Sequence, residues 1–426
     1  MFLSSFRPRC TRTLVLLGLS LCAATAALGQ TAPTPAPPAS PSSSTSLRQA
    51  LDAAWALALA SRTTPARLAE LQARARATQS LTAGSASVTL AHRTDQLTAN
   101  GGLREYEAEL AWPLWNASVR ASTQRQIAAE QTALERQTAL ARLKLAGELR
   151  ELAAGLMLAR LERDIAARKH AETTQLAQDV QRRVKAGDLA RVDGLMAQAS
   201  MQQTDMALAQ ADSGLLKLQT QWRLLTGLTS VPVVLETAEA ALAIADRAPS
   251  DDHPALQAAQ ALLATAQAKL VLAQTDQRDP MELGLGITQE RSAFGAGADT
   301  TLRFALRIPL GGEHRNAPRV AAARADLDAA QAEADAATRQ VQADTAIASV
   351  ALATARRNEA LAAVRARLSS EVHALITRSY QLGEGDWPTR LRAENDKFDA
   401  DLSVARARID VQRAASQLNQ ALGLLP

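Results

Sequence analysis

The sequence predicts a mainly α-helical fold with a small β part, made of two copies of one unit that each join a β-hairpin to a long α-helical hairpin. Three observations carry this. Apolar residues make up 47% of the 426-residue chain but aromatics only 3%, and the surplus is mostly alanine, which forms helices well and fills a core poorly. Landmarks recur at one offset: PLWNASVRA at Pro113 and PLGGEHRNA at Pro309, the turn glycines Gly187 and Gly383, and Gly227 in LLTGL and Gly423 in QALGL are each 196 residues apart. Between these landmarks the hydrophobic period changes from helical to alternating and back.

The elements follow in chain order. Residues 1–29 read as a secretory signal peptide, with Arg7, Arg9 and Arg12, an apolar stretch from Leu14 to Ala27, and cleavage expected before Gln30. Leu19-Ser20-Leu21-Cys22 resembles a lipobox and is the competing reading, against which stands the bulky Leu21. Residues 30–45 are a Pro/Ser-rich linker, expected to be disordered. The first repeat spans 46–227, with a helical stretch from about Ser46 to Leu81, a β-hairpin at 87–113 around Asn100-Gly101-Gly102, and a long hairpin whose tip lies near 187. Residues 228–252 link it to the second repeat, 253–426, with a helix from about His253 to Gln274, a β-hairpin at 281–309 and a tip near 383.

Pro65 and Pro254 are expected near helix starts, Asn116 and Asn316 as N-caps, and Pro318 in a first turn. Both closing strands are expected to end at proline, Pro113 or Pro309. No proline interrupts the stretch from Asn116 to Lys185 or the one from Arg319 to Leu382. Nearly seventy residues at 1.5 Å each give helices on the order of 100 Å, and shorter helices run back to Gly227 and Gly423.

The strands are two-faced. Tyr106, Ala108, Leu110 and Trp112 alternate with Glu105, Glu107 and Glu109; Leu302, Phe304 and Leu306 alternate with Arg303 and Arg307. Strands of about ten residues with one apolar and one charged face match an outer-membrane barrel, for which bacterial examples start at eight strands. One chain supplies four, and open edges are not tolerated in hydrocarbon, so other copies must complete the sheet. Two copies give eight strands and three give twelve; the charged inner faces favour the wider bore. Tyr106, Trp112, Trp115 and Phe304 are candidate membrane-interface aromatics, and each serves equally as an ordinary hairpin residue.

Composition also excludes. The net charge of +4 falls to about +1 without the three leader arginines, so the basic pI is no sign of a nucleic-acid partner. Both cysteines, Cys10 and Cys22, lie in the leader, which leaves no thiol for disulfides, zinc fingers or nucleophilic catalysis. No nucleophile elbow, phosphate loop or metal-ligand spacing occurs, and no catalytic, cofactor or metal residue is assigned.

The proline-leucine strand ends before long helices, the paired turns RVKAGDLARVDGLMAQ and SYQLGEGDWPTRLRAEN, and the LTG and ALG endings resemble the TolC family of outer-membrane efflux ducts. The resemblance implies a homotrimer with a twelve-stranded barrel in the outer membrane of a Gram-negative bacterium and a helical tunnel across the periplasm. It further implies an inner-membrane pump of the resistance-nodulation-division type, a periplasmic adaptor, and a closable tip at the two turns. Gly187, Asp193, Tyr380, Gly383, Asp386, Arg390 and Arg392 are the candidate tip and gate residues. Within the family pattern Tyr380 and Asp193 correspond to residues that help hold neighbouring hairpins closed, so Tyr380→Phe or Asp193→Ala is expected to loosen the tip.

The chain departs from the family at three positions. Gly385 stands where an arginine is common, and Thr389 and Arg392 stand where some members carry aspartate rings, so the acidic ring is not carried over. The wording LGEGDWPTRLRAE with NQALGLLP looks closer to the branch serving heavy-metal exporters of the cobalt-zinc-cadmium type. The five histidines form no ligand pair, and a passive duct needs none. The alternatives are a periplasmic adaptor and a structural coiled-coil protein of the envelope; the doubled hairpin stands against the first, the two-faced strands against the second.

Overall fold

The computed structural model describes residues 46–231, 252–311 and 313–426. The expected signal peptide, the Pro/Ser linker and most of the inter-repeat linker lie outside the described residues. The first repeat holds α1 (Leu47–Leu57), α2 (Leu59–Ala77), β1 (Ser87–Thr94), β2 (Arg104–Leu114), α3 (Ala117–Ala186) and α4 (Arg191–Thr226). The second holds α5 (Pro254–Thr275), β3 (Met281–Arg291), β4 (Asp299–Arg307), α6 (Glu313–Gln381) and α7 (Trp387–Ala421). The 196-residue offset recurs in the elements themselves: α3 and α6 begin at 117 and 313, α4 and α7 at 191 and 387. The fold is mostly helical with one small antiparallel sheet, as the sequence predicts.

The 70 residues of α3 and the 69 of α6 are about 100 Å long at 1.5 Å per residue. Each ends on a glycine in the left-handed region, Gly187 at φ 87° and Gly383 at φ 81°. The caps are alike: the Asp188 N–H reaches back to the Arg183 carbonyl at 2.9 Å, and the Glu384 N–H to the Ser379 carbonyl at 3.1 Å, which satisfies carbonyls the helix leaves open. Helix α3 packs on α4 and on α7, and α7 packs on α6, so the long helices lie in the order α4–α3–α7–α6. Close approach has a local cause at Gly147 of α3, where a Cβ would meet the Gln420 side chain of α7 at 3.0 Å.

The upper core is built on the same offset. Leu47, Ala50, Leu51 and Ala54 of α1 pack on Leu149, Ala153 and Leu156 of α3 and Trp222 of α4. Trp222 is buried, with Nε1 donating to the Ser230 carbonyl at 3.0 Å. In the second repeat Leu352 and Leu418 occupy the positions of Leu156 and Trp222, with Ala348, Ala414 and Ala415 around them. Full burial of one such leucine contributes about 1.5–3 kcal/mol.

Four local expectations are corrected. The first helical stretch is two helices broken at Ala58 (ψ 141°), because the apolar face of α1 docks onto α3 and α4 while α2 runs along α3. Pro65 lies inside α2 and not near its start; the position is exposed, so water takes the carbonyl it leaves open. Helix α6 begins at Glu313, which puts Pro318 inside it and makes Asn316 a buried first-turn residue whose Nδ2 donates to the Ala273 carbonyl at 2.6 Å. Pro113 does not end its strand: β2 continues to Leu114, and the Pro113 carbonyl accepts from the Ala83 N–H at 2.8 Å. Asn116 does cap α3, accepting from the Ser118 N–H at 3.2 Å, and Pro254 does open α5.

Candidate functional site

Three surfaces of the fold are unfinished in a single chain. The first is the sheet, whose order is β1-β2-β3-β4 with every neighbour antiparallel. Register sets Leu90 opposite Ala108, Ala108 opposite Ile287 and Ile287 opposite Leu302; the next apolar row is Val88, Leu110, Leu285 and Phe304. Alternation therefore gathers the apolar residues of all four strands on one face. That face is bare: Leu90 is 77% and Phe304 76% exposed.

The other face is polar and curls inward. Arg303 pairs with Glu107 at 2.9 Å and Arg307 with Glu282 at 3.4 Å, while Gly284 gives room to Glu109, whose Oε1 would lie 2.7 Å from a Cβ there. Among the described residues the outer edges of β1 and β4 have no partner strand. Of the expected interface aromatics, Tyr106 stacks on His92 at 4.5 Å, Phe304 is bare, and Trp112 and Trp115 are half-buried near the strand base.

The second surface is the pair of helical flanks. Exposed apolar residues on α6 fall at Ile347, Val350, Leu361, Val364, Leu368 and Leu375, on positions a and d of one heptad register, with Val372 beside them at e. On α4, Val192, Leu195, Met206 and Leu216 fall on a and d, and Met196 and Leu224 fall on the adjoining e positions. These two helices are the outermost of the four, so each carries a coiled-coil seam whose partner lies outside the chain. Two different seams at opposite flanks are the geometry of a head-to-tail interface, which closes a ring when the rotation per subunit allows.

The third surface is the tip. Tyr380 and Trp387, 8% and 4% exposed, enter a pocket of Leu176, Ala177 and Val180 from α3 and Ala197 from α4. Their ring centroids are 6.3 Å apart. Two guanidinium groups approach the Tyr380 ring, Arg183 of the first hairpin at 5.5 Å and Arg390 of the second at 4.8 Å, both within cation–π range. Tyr380 Oη, Trp387 Nε1 and Arg390 Nε are buried without a hydrogen-bond partner.

Asp193 sits in the first turn of α4, and its carboxylate joins no hydrogen bond or ion pair among the described residues. The structure therefore brings Tyr380 and Arg390 together and leaves Asp193 apart. Asp386 is the N-cap of α7 without a side-chain bond, and Arg392 is exposed. Gly385 has a packing reason, since a Cβ there would lie 3.2 Å from the Tyr380 nitrogen.

Two titratable groups lie farther up the same seam. Burial pushes the Glu394 carboxyl up, against the pull of Arg390, with Glu172 adding to the rise and Lys397 and Lys169 opposing it. His373 is pushed below its ordinary value by burial, then by Lys397 and Arg390. Sequence reasoning missed Trp387, Arg183 and His373 as parts of the tip. The one available signal for Trp387 was an aromatic at a helix start, in DWP, beside a turn glycine.

Among the described residues no helix is long and apolar enough to cross a membrane, and no group of three or more His, Asp, Glu or Cys could hold a metal ion. No family model matches the sequence, and no curated protein matches it. Solved structures do. A membrane protein from Pseudomonas aeruginosa is 19% identical, with 92% of this chain and 100% of that one covered at a TM-score of 0.71. The outer membrane protein VceC from Vibrio cholerae is 15% identical over 88% of this chain and 96% of its own, at 0.69. CusC, described for its transmembrane channel formation, is 15% identical over 89% of this chain and 92% of its own, at 0.70. The chain has the fold of these TolC-like outer-membrane channels.

Proposed function

We propose that this chain is the outer-membrane channel of a tripartite efflux system, a passive duct and not an enzyme, which carries substrate from an inner-membrane pump and a periplasmic adaptor to the outside. The observation that carries this is the four-stranded sheet, bare and apolar on one face, charged on the other, and open at both edges. In lipid that sheet must close, and three copies give twelve strands with a polar bore. The heptad seams on α4 and α6 support the same ring, in which α4 of one copy meets α6 of the next. The apolar band supports a barrel in the outer membrane of a Gram-negative bacterium, with the long helices in the periplasm, and in this reading residues 1–29 are expected to direct export.

The expected outcome is that the protein fractionates with the outer membrane and runs as a trimer in mild detergent; a stable monomer under native conditions overturns the reading. We place the pump in the resistance-nodulation-division class and the cargo among heavy-metal cations of the cobalt-zinc-cadmium type, on the wording of the second turn. Deletion of the gene is then expected to sensitise cells to these ions more than to hydrophobic drugs, and the reverse pattern overturns the cargo assignment. The tip residues Gly187, Asp193, Tyr380, Gly383, Asp386, Arg390 and Arg392 form the closable end in this reading.

A further inference from the structure

The apolar face of the sheet ends, on the side away from the helices, in a row of charge. Arg104 lies opposite Thr94 on one side and directly opposite Arg291 on the other. Alternation puts both arginines on the face that bears Tyr106, Leu110 and Leu285. Directly opposed residues of an antiparallel pair have Cβ atoms about 5 Å apart, and like charges there destabilise the ladder.

The neighbouring acids do not relieve this pair. Glu105, Glu290 and Asp299 share the next register row and point to the opposite, polar face, where Glu105 lies 3.8 Å from Arg93. Asp95 accepts from the Gly101 N–H on Oδ2 at 2.6 Å, and its Oδ1 is buried and meets neither arginine. Among the described residues Arg104 joins no side-chain hydrogen bond or ion pair. Arg291 reaches only the Gly102 carbonyl, at 3.4 Å, and the Phe294 ring, at 5.8 Å. The rim acids share the polar face with Arg93, while Arg104 and Arg291 stand on the apolar face without a carboxylate partner among the described residues, so an anion from outside the chain can serve them.

The position says which anion. Eight residues separate Arg104 from Trp112, about 27 Å along the strand, which sets the two ends near the borders of an apolar band of about 25 Å. The helices leave from the Trp112 end, so the arginines lie at the outer leaflet.

We propose that Arg104 and Arg291 form a binding site for the phosphate group of an anionic lipid headgroup in the outer leaflet, one site per subunit. This rests on the outer-membrane placement proposed above. A phosphate monoester carries about −1.5 to −2 charges at neutral pH, which matches two guanidinium groups, and their planar forks suit its oxygens. The Thr94 hydroxyl in the same row is a further donor. One row down, Tyr106 and His92 offer an aromatic surface where headgroup gives way to acyl chain.

The test uses the full chain extracted in detergent, with native mass spectrometry against bis-phosphorylated lipid A, against its enzymatically dephosphorylated form, and in competition with millimolar inorganic phosphate. Up to three bis-phosphorylated lipids are expected per trimer, with affinity falling roughly tenfold in Arg104→Gln/Arg291→Gln and by a smaller factor in Arg104→Lys/Arg291→Lys, which keeps the charges and loses the forks. Equal binding of the dephosphorylated lipid, or unchanged binding by the Gln double variant, overturns the proposal. Displacement of the lipid by inorganic phosphate assigns the site to the free ion and overturns it as well. If the Gln variant fails to trimerise, Arg104→Gln and Arg291→Gln singly are each expected to lose part of the affinity, and no loss in either overturns the site. A wild-type protein absent from the outer membrane defeats the channel reading instead, which fractionation shows before any lipid is added.

Discussion

The seam where α3 meets α7 is held in opposite ways at its two ends. Along its upper half, away from the tip, it is stitched by directed bonds: Arg413 and Gln417 both donate to Glu151, Arg406 donates to Glu162 at 2.6 Å, and Gln420 Nε2 donates to the Leu143 carbonyl at 2.8 Å. At the tip the same two hairpins meet through the Tyr380 and Trp387 rings and two guanidinium groups; buried polar atoms lack a partner at both ends, Tyr380 Oη, Trp387 Nε1 and Arg390 Nε at the tip and Gln412 Oε1 and Ser416 Oγ above, so the difference lies in the directed bonds. Each unmet group costs about 1–3 kcal/mol, a sum comparable to what burial of the two rings and the cation–π contacts return. A seam built this way can part at the tip and stay shut above it. The duplicated scaffold has thus diverged by function: Tyr380 and Trp387 fall on positions that are Val184 and Arg191 in the first repeat, so one hairpin supplies the aromatic insert and the other the pocket.

The largest expected effect comes from emptying that pocket. Trp387→Ala should cost about 3–5 kcal/mol locally. Amide exchange around 176–184 and 376–391 should then rise a hundredfold or more on the scale of about 1.4 kcal/mol per decade, with protection at 146–156 unchanged. Loss of protection along the whole seam would show that the two ends are one cooperative unit. The converse substitution, Glu151→Ala, removes two partners from the upper seam. Both Glu151 and Arg413 are close to half exposed, so solvent screening limits the loss to about 1 kcal/mol. Exchange should rise near 146–156 and 411–420 and stay low at the tip.

How much of this was legible follows from what each feature depends on. The long hairpins could be read because their signals are local: proline-free alanine-rich runs, αL glycines at the turns and a repeat offset shared by three landmarks. The strands could be read because alternation of Tyr106, Ala108, Leu110 and Trp112 with glutamates needs no partner to be visible. The break at Ala58 could not, since nothing in an alanine marks it and the cause is the docking of α1 on α3 and α4. Asn316 looks like a cap by type and is buried instead, because the helix begins three residues earlier. The tip pocket joins residues about 200 positions apart, and the family pattern directed attention to the Tyr380 hydroxyl when the structure uses the ring face.

That last point yields a prediction whose sign separates the two accounts. A hydroxyl that holds neighbouring hairpins by a hydrogen bond is lost in Tyr380→Phe, and the tip loosens. Tyr380 Oη is instead buried and unpartnered, so Tyr380→Phe removes an unmet polar group and keeps the ring between the hairpins. The tip should close more tightly, by up to about 1 kcal/mol, with lower open probability in planar bilayers and slower exchange at 376–391. Tyr380→Leu, which loses the aromatic ring and its cation–π contacts, should act in the opposite direction. Loosening by both substitutions would restore the hydrogen-bond account.

The smallest effect concerns pH and the two titratable groups above the pocket. Glu394 is held above its ordinary value by burial, so between about 4.5 and its folded value the native seam keeps a proton that the unfolded chain has lost. Its contribution falls as pH rises through that window. His373 is held below 6.5, so on acidification below 6.5 the unfolded chain gains a proton that the native seam refuses. Its contribution falls as pH drops. Both groups face Glu172 of α3 and Arg390 and Lys397 of α7, with Lys169 of α3 also near Glu394 and Asp401 of α7 also near His373, so the slopes are carried by one cluster. Where the two windows overlap they oppose each other, and the wild-type seam should change little there. Glu394→Gln leaves the histidine alone, and the seam should weaken as the solution is acidified; His373→Gln leaves the carboxyl alone, and it should strengthen. An environment-sensitive label on an Asp188→Cys chain with the leader removed, which carries no other thiol, reads the urea midpoint of the tip at pH 5 and 6.5. Shifts of the same sign in the two variants would show that the groups do not titrate across this seam.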